Sequence, residues 1–214
     1  MIHAYDKNYL RVGQAALARM LDFAVYDLKY DISEFFALFV TSGVAERFGK
    51  GDFTLLAGKS GVEIAYEVLE RTVGLKERIK PRYTANRSQE YWTGWALAYY
   101  QWETGLRFEE IIRYIPIADI KALYTPYHEM DIRQFVDKMN KLYRTAKPET
   151  NLKRMRQQLG FSQKELAELS GVPLRTIQQY EQRQKNINKA QAEYLLMLSG
   201  ALCCKVEDLI ELVE

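Results

Sequence analysis

Histidine and cysteine are nearly missing from this chain, with two of each in 214 residues. So few nitrogen and sulfur ligands leave little from which to build a zinc site, and no pattern asks for any other cofactor. The two cysteines, Cys203 and Cys204, are adjacent, which gives no disulfide framework. Free cysteine is most often a small buried apolar residue, and that role, over a redox switch, is expected of both. Long apolar runs are missing too. Lys, Arg, Asp or Glu interrupts every candidate before the roughly 20 residues a membrane span needs. The opening MIHAYDKNYL has neither the basic nor the apolar region of a secretory signal, so the expectation is a cytoplasmic protein without a membrane. Strand signals are also scarce: no Asn-Gly or Asp-Gly turn joins alternating segments.

Helix signals are plentiful instead. Short polar residues followed three positions later by Glu or Gln recur as capping boxes at Asp31…Glu34, Ser60…Glu63, Asp131…Gln134, Ser162…Glu165 and Asn188…Gln191. The expected fold is all-α. In the first two-thirds the pattern predicts helices over roughly Lys7–Leu28, Ile32–Ser42, Gly61–Thr72, Gln89–Glu103, Phe108–Tyr114, Ile117–Leu123 and Asp131–Thr145. Gly74 and Gly105 sit where a left-handed residue closes a helix. The polar, proline-broken stretch 147–150 reads as the boundary between a helical domain, 1–146, and a second domain, 151–214. The charged stretch 76–84, with Pro81, is a weaker break.

Charge is unevenly spread in the second domain. Residues 151–189 carry eight basic and three acidic side chains, a net +5, whereas residues 190–214 net −4. A basic front with an acidic back suits a module that turns one side to phosphate; solvated charge without a partner explains it equally well. The spacing of apolar residues says more. Leu152, Met155 and Leu159 make one stripe. The box Ser162…Glu165 then opens a short helix with Leu166, Ala167 and Leu169 as its inner face. Gly171-Val172 makes a tight turn, Pro173 opens the next helix, and Ile177 and Tyr180 point inward. Arg175, Gln178, Gln179 and Gln182 fall on the opposite side, within about 100° of one another. Arg and Gln can hydrogen-bond guanine and adenine edges bidentately in the major groove, and two helices joined by a short turn containing glycine form a helix-turn-helix.

At these residues the chain resembles the Cro/CI repressor type of helix-turn-helix, the XRE family. The resemblance rests on Ser162-Gln163, Leu166-Ala167, Gly171-Val172, Thr176-Ile177, Tyr180-Glu181 and the closing aliphatic helix ending at Leu209, about 60 residues in all. It implies a five-helix, lambda-repressor-like domain that binds double-stranded DNA as a transcriptional regulator, of repressor or autoregulator kind. By the same resemblance Gln163 contacts a phosphate and braces the recognition helix. Leu174, Arg175 and Gln179 face base edges with Gln178 beside them, and Gln182, Lys185 and Asn186 hold the DNA backbone. Arg156 and Glu181 stand where the family makes an internal ion pair. The chain departs from the family twice. Pro173 replaces the usual Ser or Thr and removes a side-chain N-cap. Gln182-Arg183 replaces a Gly or Asn, which predicts a recognition helix one turn longer.

The first domain is nearly neutral. Its most distinctive feature is an aromatic stripe, Tyr91, Trp95, Tyr99 and Trp102, with Trp92 and Tyr100 beside it. Such a stripe can line a ligand pocket or seat a partner helix, but core is the commoner role. Gly58-Lys59-Ser60-Gly61 echoes the end of a phosphate loop but lacks the earlier glycine and a preceding strand, so Ser60 is expected to cap a helix. With no nucleophile–base pair or metal cluster in view, no enzyme is expected. Residues 34–70 resemble small helical domains found beside XRE-type regulators, some in toxin–antitoxin gene pairs. That resemblance keeps open an antitoxin whose first domain neutralises a toxin enzyme. In either case a single recognition helix covers few base pairs, which implies a homodimer.

Overall fold

Helix α1 (Leu10–Tyr26) is apolar around most of its circumference, and a helix of that kind has to be surrounded. The computed structural model, which describes residues 3–74, 77–82, 87–147 and 149–213, surrounds it. The chain divides into two units, Met1–Ala146 and Lys147–Glu214. In the first, Leu17, Ala18, Met20, Leu21, Phe23 and Ala24 of α1 are fully buried between α5 (Gly61–Thr72) and α6 (Gln89–Thr104). Glycine permits the closeness. A Cβ on Gly94 would lie 2.6 Å from the Leu17 carbonyl oxygen, and one on Gly61 would lie 2.4 Å from that of Ala16. Around this core run α2 (Ile32–Thr41), α3 (Val44–Gly49), α4 (Phe53–Leu56), α7 (Phe108–Tyr114), α8 (Ile117–Ala122), α9 (Tyr124–Tyr127) and α10 (Ile132–Ala146). Phe36, Phe39, Phe48 and Phe108 pack edge-to-face among them.

The helix starts follow local chemistry. Ser60 and Glu63 form a reciprocal capping box at α5, and Asp31 accepts from the backbone N–H groups of Ser33 and Glu34 at α2. Lys59 reaches Glu67 at 2.6 Å, so Gly58–Gly61 is a helix start and not a phosphate loop. Gly74 and Gly105 take φ of +71° and +70°. Helices α3, α4 and α9 lie where the sequence predicts none; at four to six residues they are too short to show a period. Lys76, Tyr83 and Thr84 of the weaker break, and Pro148 of the boundary, lie outside the described residues.

The aromatic stripe departs from the core reading. Tyr91, Trp95 and Tyr99 are only half-buried; Gly94, Leu97, Ala98 and Gln101 of α6 are buried instead. Only small side chains let two helices approach so closely, so these three rings are turned outward, whereas Tyr100 and Trp102 are buried as core. Tyr91, Trp92 and Trp95 line an open cleft of about 330 Å³ with Tyr124, Tyr127 and His128.

The second unit holds α11 (Asn151–Gln158), α12 (Gln163–Ser170), α13 (Leu174–Glu181), α14 (Ala192–Ala201) and α15 (Val206–Leu209). Its core is Leu152, Leu166, Val172, Ile177, Tyr180, Ile187, Leu198, Leu202 and Leu209. Several expectations fail here. Leu159 and Leu169 are exposed, at 47 % and 60 %, because Leu159 lies past the end of α11 and the buried neighbour of Leu166 is Ser170, one turn on. Cys203 is exposed. The chain turns through φ +49° there, and Leu202 fills the core in its place. Asn188 caps no α-helix: its amide clasps the chain end, donating to the Glu211 carbonyl at 2.6 Å and accepting from the Glu211 N–H at 2.9 Å. Among the described residues no helix is long and apolar enough to cross a membrane.

The two kinds of glycine make a test. Gly94→Ala forces a methyl group into backbone and should lower stability by about 1–3 kcal/mol. Gly200→Ala, in α14 with nothing within 4 Å of the new Cβ, should be neutral or stabilise by up to roughly 1 kcal/mol. Thermal melts of the full chain read both, and equal melting temperatures for the two variants would contradict the packing described.

Candidate nucleic-acid interface

Two helices and a three-residue turn build the candidate site. Ser162 starts α12 by accepting from the Glu165 N–H at 3.1 Å, while Glu165 accepts from the Ser162 N–H at 2.7 Å. That backbone hydrogen bond, with help from the Ser162 hydroxyl, holds the Glu165 carboxyl below its ordinary range. Gly171 ends α12 at φ +74°, and its N–H donates to the Ala167 carbonyl at 2.9 Å. Val172, 1 % exposed, plugs the core beneath the turn. Pro173 is the N-cap of α13 and not its first helical residue, and it supplies no side-chain cap. Its carbonyl accepts from the N–H groups of Thr176 and Ile177, which keeps the helix start intact without a hydroxyl.

Ile177 and Tyr180 anchor α13 in the core, and burial raises the Tyr180 phenol above its ordinary value. Of the eight residues singled out for DNA, Leu174, Arg175, Gln182 and Lys185 are exposed, while Gln163, Gln178, Gln179 and Asn186 are half-buried. All eight reach the surface. The one acid of α13, Glu181, is turned inward. It receives Arg156 through two hydrogen bonds, Nε at 2.6 Å and a terminal nitrogen at 2.9 Å. The amide of Gln163 donates to the same carboxylate at 2.7 Å, tying the first residue of α12 to the last of α13. Arg156 also donates to the Phe161 carbonyl at 2.6 Å. Hydrogen bonding to Glu181 raises the Arg156 pKa, so the guanidinium keeps its charge. The exposed side of α13 is left with Arg175 and amides and no acid, a set of groups able to hydrogen-bond base edges.

The end of α13 differs from expectation. The helix stops at Glu181 and gains no extra turn, because Arg183 itself adopts φ +56°. A left-handed backbone costs a non-glycine residue about 1–2 kcal/mol. The Arg183 guanidinium donates to the Lys147 carbonyl at 3.2 Å, a tertiary contact that helps offset this. The loop beyond is held by its own backbone: the N–H groups of Gln184 and Lys185 both donate to the Gln179 carbonyl. Asn186 accepts from the Asn188 N–H at 2.8 Å. Sequence reasoning overlooked Arg183, as well as Asn151 and Lys147, which join the clasp on the chain end through the Ile210 carbonyl and Glu211. The lone signal for Arg183 was the absent glycine.

Removing one partner of a buried pair strands the other charge. Arg156→Ala should therefore cost the C-terminal unit about 3–5 kcal/mol, and replacing both Arg156 and Glu181 with apolar residues of similar volume should cost much less. Denaturant titration of the three proteins checks this, and a double variant no more stable than Arg156→Ala would contradict it.

Residues 152–195 match the helix-turn-helix family model, a span that takes in α11, α12, α13 and the start of α14. A comparison with curated proteins and another with solved structures returned no match. The matched span holds the capped α12, the Gly171 turn and the α13 face just described: the C-terminal region of this chain carries a helix-turn-helix domain of the XRE family, a DNA-binding regulatory module.

Proposed function

We propose that the protein is a transcriptional repressor or autoregulator whose α13 lies in the major groove of its operator. The observation that carries this reading is the inward turn of Glu181, which leaves the outer face of α13 free of negative charge. In the proposed complex Arg175 and Gln179 read base edges, with Leu174 packing between them and Gln178 beside. Gln163 approaches a phosphate from the start of α12 while bracing Glu181. Gln182, Lys185 and Asn186 meet the sugar–phosphate backbone beyond α13. A helix of eight residues is about 12 Å long and reads only a few base pairs, so the binding species is a homodimer on half-sites one helical turn apart. Residues 1–146 supply the dimer contact or receive a partner. A protein that sits on its operator represses by occupancy alone and needs no catalytic group.

Selecting bound fragments from random DNA with the full-length protein tests the reading, and a palindrome with half-sites about 10 base pairs apart is the expected product. On that operator Arg175→Ala should lose roughly 1–3 kcal/mol and relax preference at one position, whereas Lys185→Ala should weaken all sequences alike and reduce the salt dependence by about one unit of slope. No enrichment at low salt, or operator binding indifferent to both substitutions, would sink the proposal.

A further inference from the structure

Several cations of the N-terminal unit are neutralised where they stand. Arg47, Lys59 and Arg71 converge on Glu67, Lys50 pairs with Glu46, Arg113 with Glu109 and Lys121 with Glu90. Helix α10 gathers cations that are not. It carries Arg133, Lys138, Lys141 and Arg144 against one acid, Asp137, and among the described residues none of the four cations is in an ion pair. Arg144 donates only to the Asn140 carbonyl of its own helix, at 3.2 Å. The apolar side of α10, Phe135, Val136, Met139 and Tyr143, is buried in its unit. At about 100° per residue, Arg133, Asp137, Lys141 and Arg144 share an arc of about 80° on the opposite side, with Lys138 about 60° beyond it. Arg133, Lys141 and Arg144 are exposed and Lys138 half-exposed.

Four cations and one acid along about 16 Å of helix axis, a net charge of +3, are a surface for a polyanion. In sequence only residues 147–150 separate the end of α10 from the start of α11. An anionic bilayer suits this surface less well. Helices that bind membranes insert an apolar face, and that of α10 is already buried. We propose that the exposed face of α10 binds the phosphate backbone of duplex DNA, adding affinity without adding sequence preference. This inference rests on the DNA-binding reading above.

The test is the full-length variant R133Q/K138Q/K141Q/R144Q, titrated with operator DNA between about 0.05 and 0.3 M salt. Each phosphate contact contributes about 0.9 to the slope of log K against log salt. Loss of about three contacts should flatten the slope by about 2.7 and weaken binding at 0.15 M salt on the order of a hundredfold. The selected base sequence should stay the same, as should the melting temperature, since the four residues are surface groups. Single substitutions of Arg133, Lys141 and Arg144, each expected to flatten the slope by about 0.9, serve if the quadruple variant melts early. An unchanged slope in a protein that still selects its operator overturns this proposal alone. Wild-type protein that ignores DNA at low salt overturns the regulator reading and this one together. If the variant instead loses binding to vesicles of anionic lipid while its DNA slope stays put, the face belongs to a membrane and the proposal fails.

Discussion

The Arg156–Glu181 pair decides what α13 shows to the outside. Burying two opposite charges earns little net stability, because desolvation offsets most of their attraction. Its consequence here is geometric. Two hydrogen bonds from one planar guanidinium, and a third from Gln163, fix the carboxylate and with it the rotation of α13 about its axis. Rotated outward, the same Glu181 would put a negative charge on the face that has to approach phosphate. The pair also links α11, α12 and α13 at one point, so the turn at Gly171 is held from both sides.

The two units use small residues for different ends. In the N-terminal unit Gly61 and Gly94 let three helices meet nearly backbone to backbone, and Tyr91, Trp95 and Tyr99 of α6 are left half-buried as a result. In the C-terminal unit Gly171 serves the backbone, reversing the chain at a positive φ. Arg183 does a similar job without being glycine. It ends α13 before the loop that carries Lys185 and Asn186, and its side chain is anchored at the start of the unit. Strain at one residue thus sets where the candidate backbone-contacting residues emerge.

The N-terminal unit balances part of its charge locally, through clusters such as that on Glu67, and its core is aromatic and tightly knit. Helix α10 gathers four cations against one acid. A charge total over the unit conceals it, because the acids that balance those cations lie on other helices.

Much was legible in the residues alone. The all-α class, the caps at Asp31, Ser60 and Ser162, the closing glycines Gly74, Gly105 and Gly171, and the inward Ile177 and Tyr180 depend on bonds between near neighbours in the chain, which spacing encodes. What spacing could not say is which of several apolar residues would find a partner. Leu159, Leu169, Tyr91 and Trp95 look like core in one dimension and are exposed or half-exposed in three, because burial depends on the shape of the facing helix. The left-handed Arg183, the clasp of Asn151 and Asn188 on the chain end, and the outward Cys203 arise between residues far apart in sequence or from a turn the local pattern disfavours. Periodicity chose the helices and their caps; close packing chose their faces and their ends.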